Sequence, residues 1–235
     1  MVIRKVGMCG LAAVLLTSAR TTLAQAPQLS VPERVAALKT TLATSQANLR
    51  HYEWIETTVV SLKGEEKSRK QQRCYYGADG ALQKVMIDAS PAPATKPGLR
   101  GRVIANKTAE LTDYMKYAVS LVKSYVPPDP AKIQAAKDAG KVTIAVLEPG
   151  KRASISFPDY QKAGDKLTVE IDLVNNRVLA VTVSTYLDGA TDVVTLNARM
   201  GQLNDGTSYT SDITLNAQVK KLTVTVQNTG YRKTN

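Results

Sequence analysis

Between Lys166 and Tyr231 the chain has little freedom, because nearly every residue there belongs either to an alternating run or to a tight turn. Leu167, Val169, Ile171 and Leu173 share one face and Thr168, Glu170 and Asp172 the other, the period of two that a half-buried strand needs. Asn175-Asn176 turns the chain. Arg177 to Leu187 follows as a second strand rich in Val, Thr and Leu, and Asp188-Gly189 supplies a hairpin dipeptide that tolerates positive φ. Ala190 to Met200 returns, a loop spans Gly201 to Gly206, and Ser208 to Gln218 precedes Leu222 to Tyr231. In that last run Leu222, Val224 and Val226 alternate with Thr223, Thr225 and Gln227. The expectation is an antiparallel meander, and therefore a twisted or curved sheet.

At the other end of the chain, Arg4 and Lys5 precede an apolar run from Val6 to Leu16, with small residues around Thr22-Leu23-Ala24. This is the pattern of a secretory signal, and it predicts a signal peptide over residues 1–24 with cleavage after Ala24. The apolar run is too short to span a hydrocarbon layer of ~30 Å at ~1.5 Å per residue. Cys9 lies inside the run without the signature of a lipoprotein, so the expected product is soluble and periplasmic. Residues 25–235 are long enough for one domain with a substantial core. They carry 28 basic and 20 acidic residues, a net charge of +8. In an exported protein such a charge suits an anionic membrane surface, and no nucleic acid is expected as a partner. Cys74, alone after cleavage, cannot form an intrachain disulfide, and its Tyr-rich strand favours a buried or half-buried thiol.

Val31 to His51 reads as a helix, with Ser30 to cap it, Pro32 in its first turn and an apolar stripe at helical spacing. Three strands follow, Glu53 to Leu62, Lys67 to Tyr76 and Ala81 to Asp88, joined by turns at Lys63 to Glu66 and at Ala78-Asp79-Gly80. The middle strand is polar, with charges that discourage edge pairing. A proline-rich loop spans residues 89–102, where Pro91, Pro93 and Pro97 forbid a regular element. Thr108 to Val126 is a helix with Leu111, Met115, Ala118, Val119, Val122 and Val126 on one side. Pro127-Pro128 stops it, and Asp129 caps a second helix from Ala131 to Ala139 that ends at Gly140. Val142 to Leu147 and Ala153 to Pro158 return the chain to the sheet.

Few residues in this sequence support covalent or metal chemistry. His51 is the single histidine, and the clusters of His, Cys and carboxylate that zinc or iron needs are missing, so neither metal nor cofactor is expected. There is no Gly-x-Ser-x-Gly elbow, no local signature for Cys74 as a nucleophile and no phosphate-cradling glycine loop. Glu170 and Asp172, two apart on one strand face, could position two carboxylates, although such pairs ordinarily face solvent opposite basic partners. The chain reads as a non-enzyme.

The order of elements resembles that of the LolA/LolB-like periplasmic lipoprotein carriers. The rhythm of Val-Glu-Ile-Asp at 169–172, Asn175-Asn176 and Tyr186-Leu187-Asp188-Gly189 carries the resemblance locally. It implies an α+β fold with a single curved antiparallel sheet, a half-barrel of about nine to eleven strands, whose concave face is covered by the N-terminal helix and by a helical lid over 108–140. It also implies that the space between sheet and helices receives acyl chains. The stretch Arg73-Cys-Tyr-Tyr-Gly-Ala-Asp-Gly80 lacks the proline those carriers have after a basic residue. No lid-latching arginine is therefore carried over, and Arg69 and Arg73 are the nearest candidates.

Two functions fit. One is a carrier or sensor that binds a lipid or acyl-like hydrophobic ligand, such as a lipoprotein acyl chain. The other is an interaction domain of the cell envelope with a packed interior and no ligand. In the first case the expected ligand-binding residues are Leu111, Met115, Val119 and Val122, along the centre of the helix stripe, with the proline-rich stretch at the mouth of the pocket.

Overall fold

A computed structural model describes residues 31–89, 99–126 and 128–234. Helix α1 (Val31–Leu49) leads into strands β1 (Tyr52–Leu62), β2 (Glu65–Tyr76) and β3 (Leu82–Ala89). Helices α2 (Leu99–Lys123) and α3 (Pro130–Asp138) come next. Seven strands complete the chain: β4 (Thr143–Glu148), β5 (Arg152–Pro158), β6 (Lys166–Asp172), β7 (Arg177–Tyr186), β8 (Val193–Gln202), β9 (Ser208–Ala217) and β10 (Leu222–Lys233). All ten strands lie in one open antiparallel sheet in the order β3-β2-β1-β10-β9-β8-β7-β6-β5-β4. This is the curved α+β half-barrel that the alternation and the order of elements predict.

The topology explains why helices cover one face. β3 and β4 are the two edges of the sheet, so the segment between them must carry the chain from one edge to the other. The 25 residues of α2 span about 37 Å at ~1.5 Å per residue, close to the ~43 Å width of ten strands spaced ~4.8 Å apart. A helix of this length laid across a curved sheet buries its apolar side on the way. The buried core accordingly joins Ala118 and Val122 of α2, and Tyr125 just past its end, to Phe157, Leu167, Val183, Val194, Leu196, Leu215, Leu222 and Val224.

Local chemistry sets the turns. Gly80, Gly206 and Asn176 take the left-handed conformation where β-turns demand it. Asp129 caps α3 by accepting a hydrogen bond from Ala131 N at 2.8 Å, and Gly140 closes that helix at a φ of 66°. Gly230, at a φ of 65°, is an extra residue of β10 between Thr229 and Arg232, which face Ile55 and Glu53. This bulge lets Tyr231 stack on Trp54, with ring centroids 5.4 Å apart.

Four expectations change. The helix read as Thr108 to Val126 begins at Leu99, so 99–102 are helical rather than part of a proline-rich loop; after Pro97 no further proline opposes helix, and Gly101 is tolerated. The rest of that loop, 90–98, lies outside the described residues, as does the stretch 1–24 expected to be a signal peptide. The same helix ends at Lys123, because Ser124 N and Tyr125 N bond three residues back, to Leu121 and Val122 O, in a tighter closing turn. Asp188-Gly189 does not form a two-residue hairpin. The loop from Leu187 to Asp192 is wider, closed by Leu187 N–H donating to Asp192 O, and none of its residues takes a positive φ. Finally, the charged strand β2 is interior to the sheet, and the edges are apolar: Val85, Met86 and Ile87 on β3 and Ile144, Val146 and Leu147 on β4 are exposed.

Candidate functional site

Residues directly opposite in neighbouring antiparallel strands share a face, so the register of the sheet sorts its apolar side into tiers. The first tier runs Leu62, Leu222, Ala217, Val194 and Thr185 across β1, β10, β9, β8 and β7. The second runs Val60, Val224, Leu215, Leu196, Val183, Leu167 and Phe157. These tiers form the floor of the core beneath α2. A third tier runs Thr58, Val226, Ile213, Ala198, Val181, Val169, Ile155 and Ile144, one residue from each strand between β1 and β4. Its centre, Ala198 and Val181, is buried, its flanks are half-buried, and its far member Ile144 is 63% exposed.

Helices lie at both ends of the strands, with the third tier between. At one end α1 reaches the start of β9, where Ser208 N–H donates to Ser45 Oγ at 3.0 Å and Asn48 Nδ2 donates to Thr207 Oγ1 at 3.1 Å. At the other end α2 is pinned by three polar contacts. Lys220 Nζ donates to Glu110 at 2.8 Å, Tyr114 hydroxyl donates to Asp192 at 2.6 Å, and Tyr125 hydroxyl donates to Asp165 at 2.5 Å while sharing a hydrogen bond with Thr185 at 2.9 Å. Burial first, and then the bond to a carboxylate, push both the Tyr114 and Tyr125 phenols above the ordinary range. α3 is fastened beside them: Asp129 N–H donates to the Tyr160 hydroxyl at 2.6 Å, and Lys132 donates to Gln161.

Of the four residues expected to bind a ligand, Val122 is 4% exposed within the core, whereas Leu111, Met115 and Val119 are half-buried against that core. All four lie on α2 over the tiers. Two open clefts have no residue of this helix in their lining. One, of about 430 Å³, is lined by Lys63, Gly64, Lys221 and neighbours at the β1–β2 and β9–β10 turns, and the other by Asn197, Arg199, Asp212 and Thr214 on the polar side of the sheet.

The remaining candidates take structural places. Glu170 pairs with Arg152. Asp172 accepts from Val174 N, Asn175 N and Nδ2, and Arg177 Nε, which organises the β6–β7 turn. Burial alone would raise the Asp172 carboxyl, but these donors outweigh it and hold the group down at about 2. Arg69 binds Glu66 through two nitrogens, and Arg73 pairs with Glu53 at 3.9 Å while lying over the Tyr75 ring. Cys74 is fully buried, and burial raises its thiol. Among the described residues no group of three or more His, Cys, Asp or Glu side chains could hold a metal, and no helix is long and apolar enough to cross a membrane.

Sequence reasoning missed the tiers and the tyrosine pins. Alternation identifies the inward side of each strand but not which inward residue meets which. The tyrosines on α2 read only as margins of its stripe.

No protein-family model matches the chain, and no curated protein matches it. Solved structures do. The chain is similar to a LolA superfamily protein from Nitrosomonas europaea, with 9% identity over 84% of this chain and 93% of that one and a TM-score of 0.34. It is also similar to a DUF1329 family protein from Desulfovibrio piger, with 7% identity over 84% of this chain and 93% of that one and a TM-score of 0.32.

Proposed function

We propose that the protein is an exported, non-enzymatic component of the cell envelope that binds an acyl-type ligand, as a carrier or sensor, in the strip between α2 and the third tier. The observation that carries this reading is the third tier itself. Beyond Thr58 an apolar row crosses seven strands, from Val226 on β10 to Ile144 on β4, and ends at an exposed edge. An extended hydrocarbon chain matches such a row, and each methylene removed from water contributes about 0.8 kcal/mol. Leu111, Met115, Val119 and Val122 form the helix side of the site, where Met suits an adaptable apolar surface. The signal over residues 1–24 puts this activity in the periplasm, and intact-mass analysis of the exported protein should show Gln25 at its start. A full-length species retained in the inner membrane would contradict this.

The ligand test is native mass spectrometry for co-purified lipid, together with uptake of a fluorescent fatty acid by the parent and by Val119→Trp. A ligand strip accommodates the indole and loses uptake. A second reading, an interaction domain with no ligand, is favoured by the burial of Ala118, Val122 and Tyr125 directly on the sheet. On that reading the parent takes up no probe, and Val119→Trp loses roughly 1–3 kcal/mol through overpacking.

A further inference from the structure

We propose that the ligand is a phospholipid with an anionic head, and that the Lys70 ammonium holds that head at the β1–β2 end of the third tier. This rests on the acyl-binding reading and adds the class of lipid and its direction in the site. The register continues the tier beyond Thr58 to Lys70 on β2, so the apolar row has a cation at one end. At the other end, on β4, stand only apolar side chains of that face, Ile144 and, one step along the strand, Val146. A row that is charged at one end and apolar at the other has the polarity of a lipid.

Lys70 also differs from the other cations of its strand. Lys67 pairs with Glu65, Arg69 with Glu66 and Arg73 with Glu53. Lys70 is exposed and has no carboxylate partner among the described residues. The nearest acid on its face, Glu56, is occupied by Lys84, whose Nζ donates to both carboxylate oxygens at 2.6 and 2.8 Å. That pair cancels its own charge and leaves Lys70 as the uncompensated one. Lys70 is also close enough to Cys74, on the same face, to act on its thiol by charge. A lipid lying along the tier covers part of this surface and takes water from it. A desolvated ammonium then needs a counter-charge, which a phosphate diester brings and a zwitterionic head offers only beside its own cation.

The test incubates the exported protein with vesicles of phosphatidylglycerol or of phosphatidylcholine with matched chains, re-isolates it by gel filtration and counts bound lipid by native mass spectrometry. Phosphatidylglycerol should be retained about tenfold over phosphatidylcholine, the equivalent of one charge-assisted bond. Lys70→Gln should abolish the preference while phosphatidylcholine uptake stays unchanged. Lys67→Gln, which removes an equal charge from a position outside the register of the tier and already paired with Glu65, should keep the preference. Equal uptake of both lipids by the parent overturns the head-group assignment and leaves the acyl-binding reading standing. So does a preference that survives Lys70→Gln or disappears in Lys67→Gln. Uptake of neither lipid overturns both.

Discussion

Tyr125→Phe isolates the contact that fastens the end of α2 to the sheet. The tyrosine is fully buried, and its hydroxyl donates at 2.5 Å to Asp165, a carboxylate that is itself 2% exposed. The substitution preserves the ring, its packing against Tyr160 at 5.8 Å between centroids, and the volume of the core. The donor to Asp165 is lost, and with it the hydrogen bond shared with the buried Thr185 hydroxyl. Asp165 keeps two others, Gln161 N and Lys162 N, each at 3.0 Å. Because a hydrogen bond to a charged group contributes roughly 1.5–3 kcal/mol and this carboxylate is left partly satisfied, the expected loss is about 2 kcal/mol. For a chain of this size that corresponds to a fall in Tm of about 4–8 °C. Urea unfolding followed by circular dichroism should show a lower midpoint at unchanged slope. In a double-mutant cycle with Asp165→Asn, the pair should couple by about 1 kcal/mol or more. A Tyr125→Phe variant within about 0.5 kcal/mol of the parent, or additive single effects, would refute the role given to this bond.

Three further outcomes are expected. Asp172, held at about 2 by its turn donors, has a folded pKa below its unfolded value, so the stability it contributes is present above about pH 4 and is lost as pH falls towards 2. Asp172→Asn should therefore flatten the acid-unfolding curve in that window, and an unchanged curve would show that the turn donors do not stabilise the ionised form. Cys74 is fully buried, so a thiol reagent should label it only as fast as the protein opens, and Cys74→Ser should still melt cooperatively; complete labelling within the mixing time of native protein would place the thiol at the surface. At Gly201 an added Cβ would stand 2.6 Å from the Tyr209 ring. Gly201→Ala should thus push that ring off Tyr231 and cost about 1–3 kcal/mol in a denaturant melt, and a neutral result would mean the ring moves freely.

Period-two alternation was enough to place every strand of the second meander to within a few residues, because each carries its apolar residues at consecutive inward positions. Turn chemistry was legible where one residue decides it, as at Gly80, Asn176 and Gly140, and was misleading at Asp188-Gly189, where the loop is widened to bring Asp192 under Tyr114. The start of α2 was missed because its first turns run ahead of the apolar stripe: from Ala105 to Glu110 every side chain is exposed, and periodicity detects only a face that is buried. The candidate site was legible as a helix face and not as a surface. Its floor depends on register, and register depends on bulges such as those beside Val60 and Arg199, which shift partners without any change in alternation. Lys70 shows the same limit. It reads as one charge in a charged strand until its cross-strand neighbour is known.

The pairing of β1 with β10 joins the first strand of the chain to the last, bringing Glu53 and Arg232 into contact across 179 residues of sequence. Every other strand pair is between consecutive strands and can zip up as soon as its hairpin exists. Closing this one pair costs the entropy of a loop containing almost the entire domain, and high contact order of this kind slows folding. During synthesis the N-terminal hairpins must wait, with one edge of β1 unpaired, until the final strand has emerged. Seven strands from β4 to β10 can meanwhile form a continuous meander, so the completed molecule is reached by docking a waiting three-strand unit onto it. A protease cut between β9 and β10 would therefore do more than trim an end, because it would release the strand that joins the two halves of the sheet.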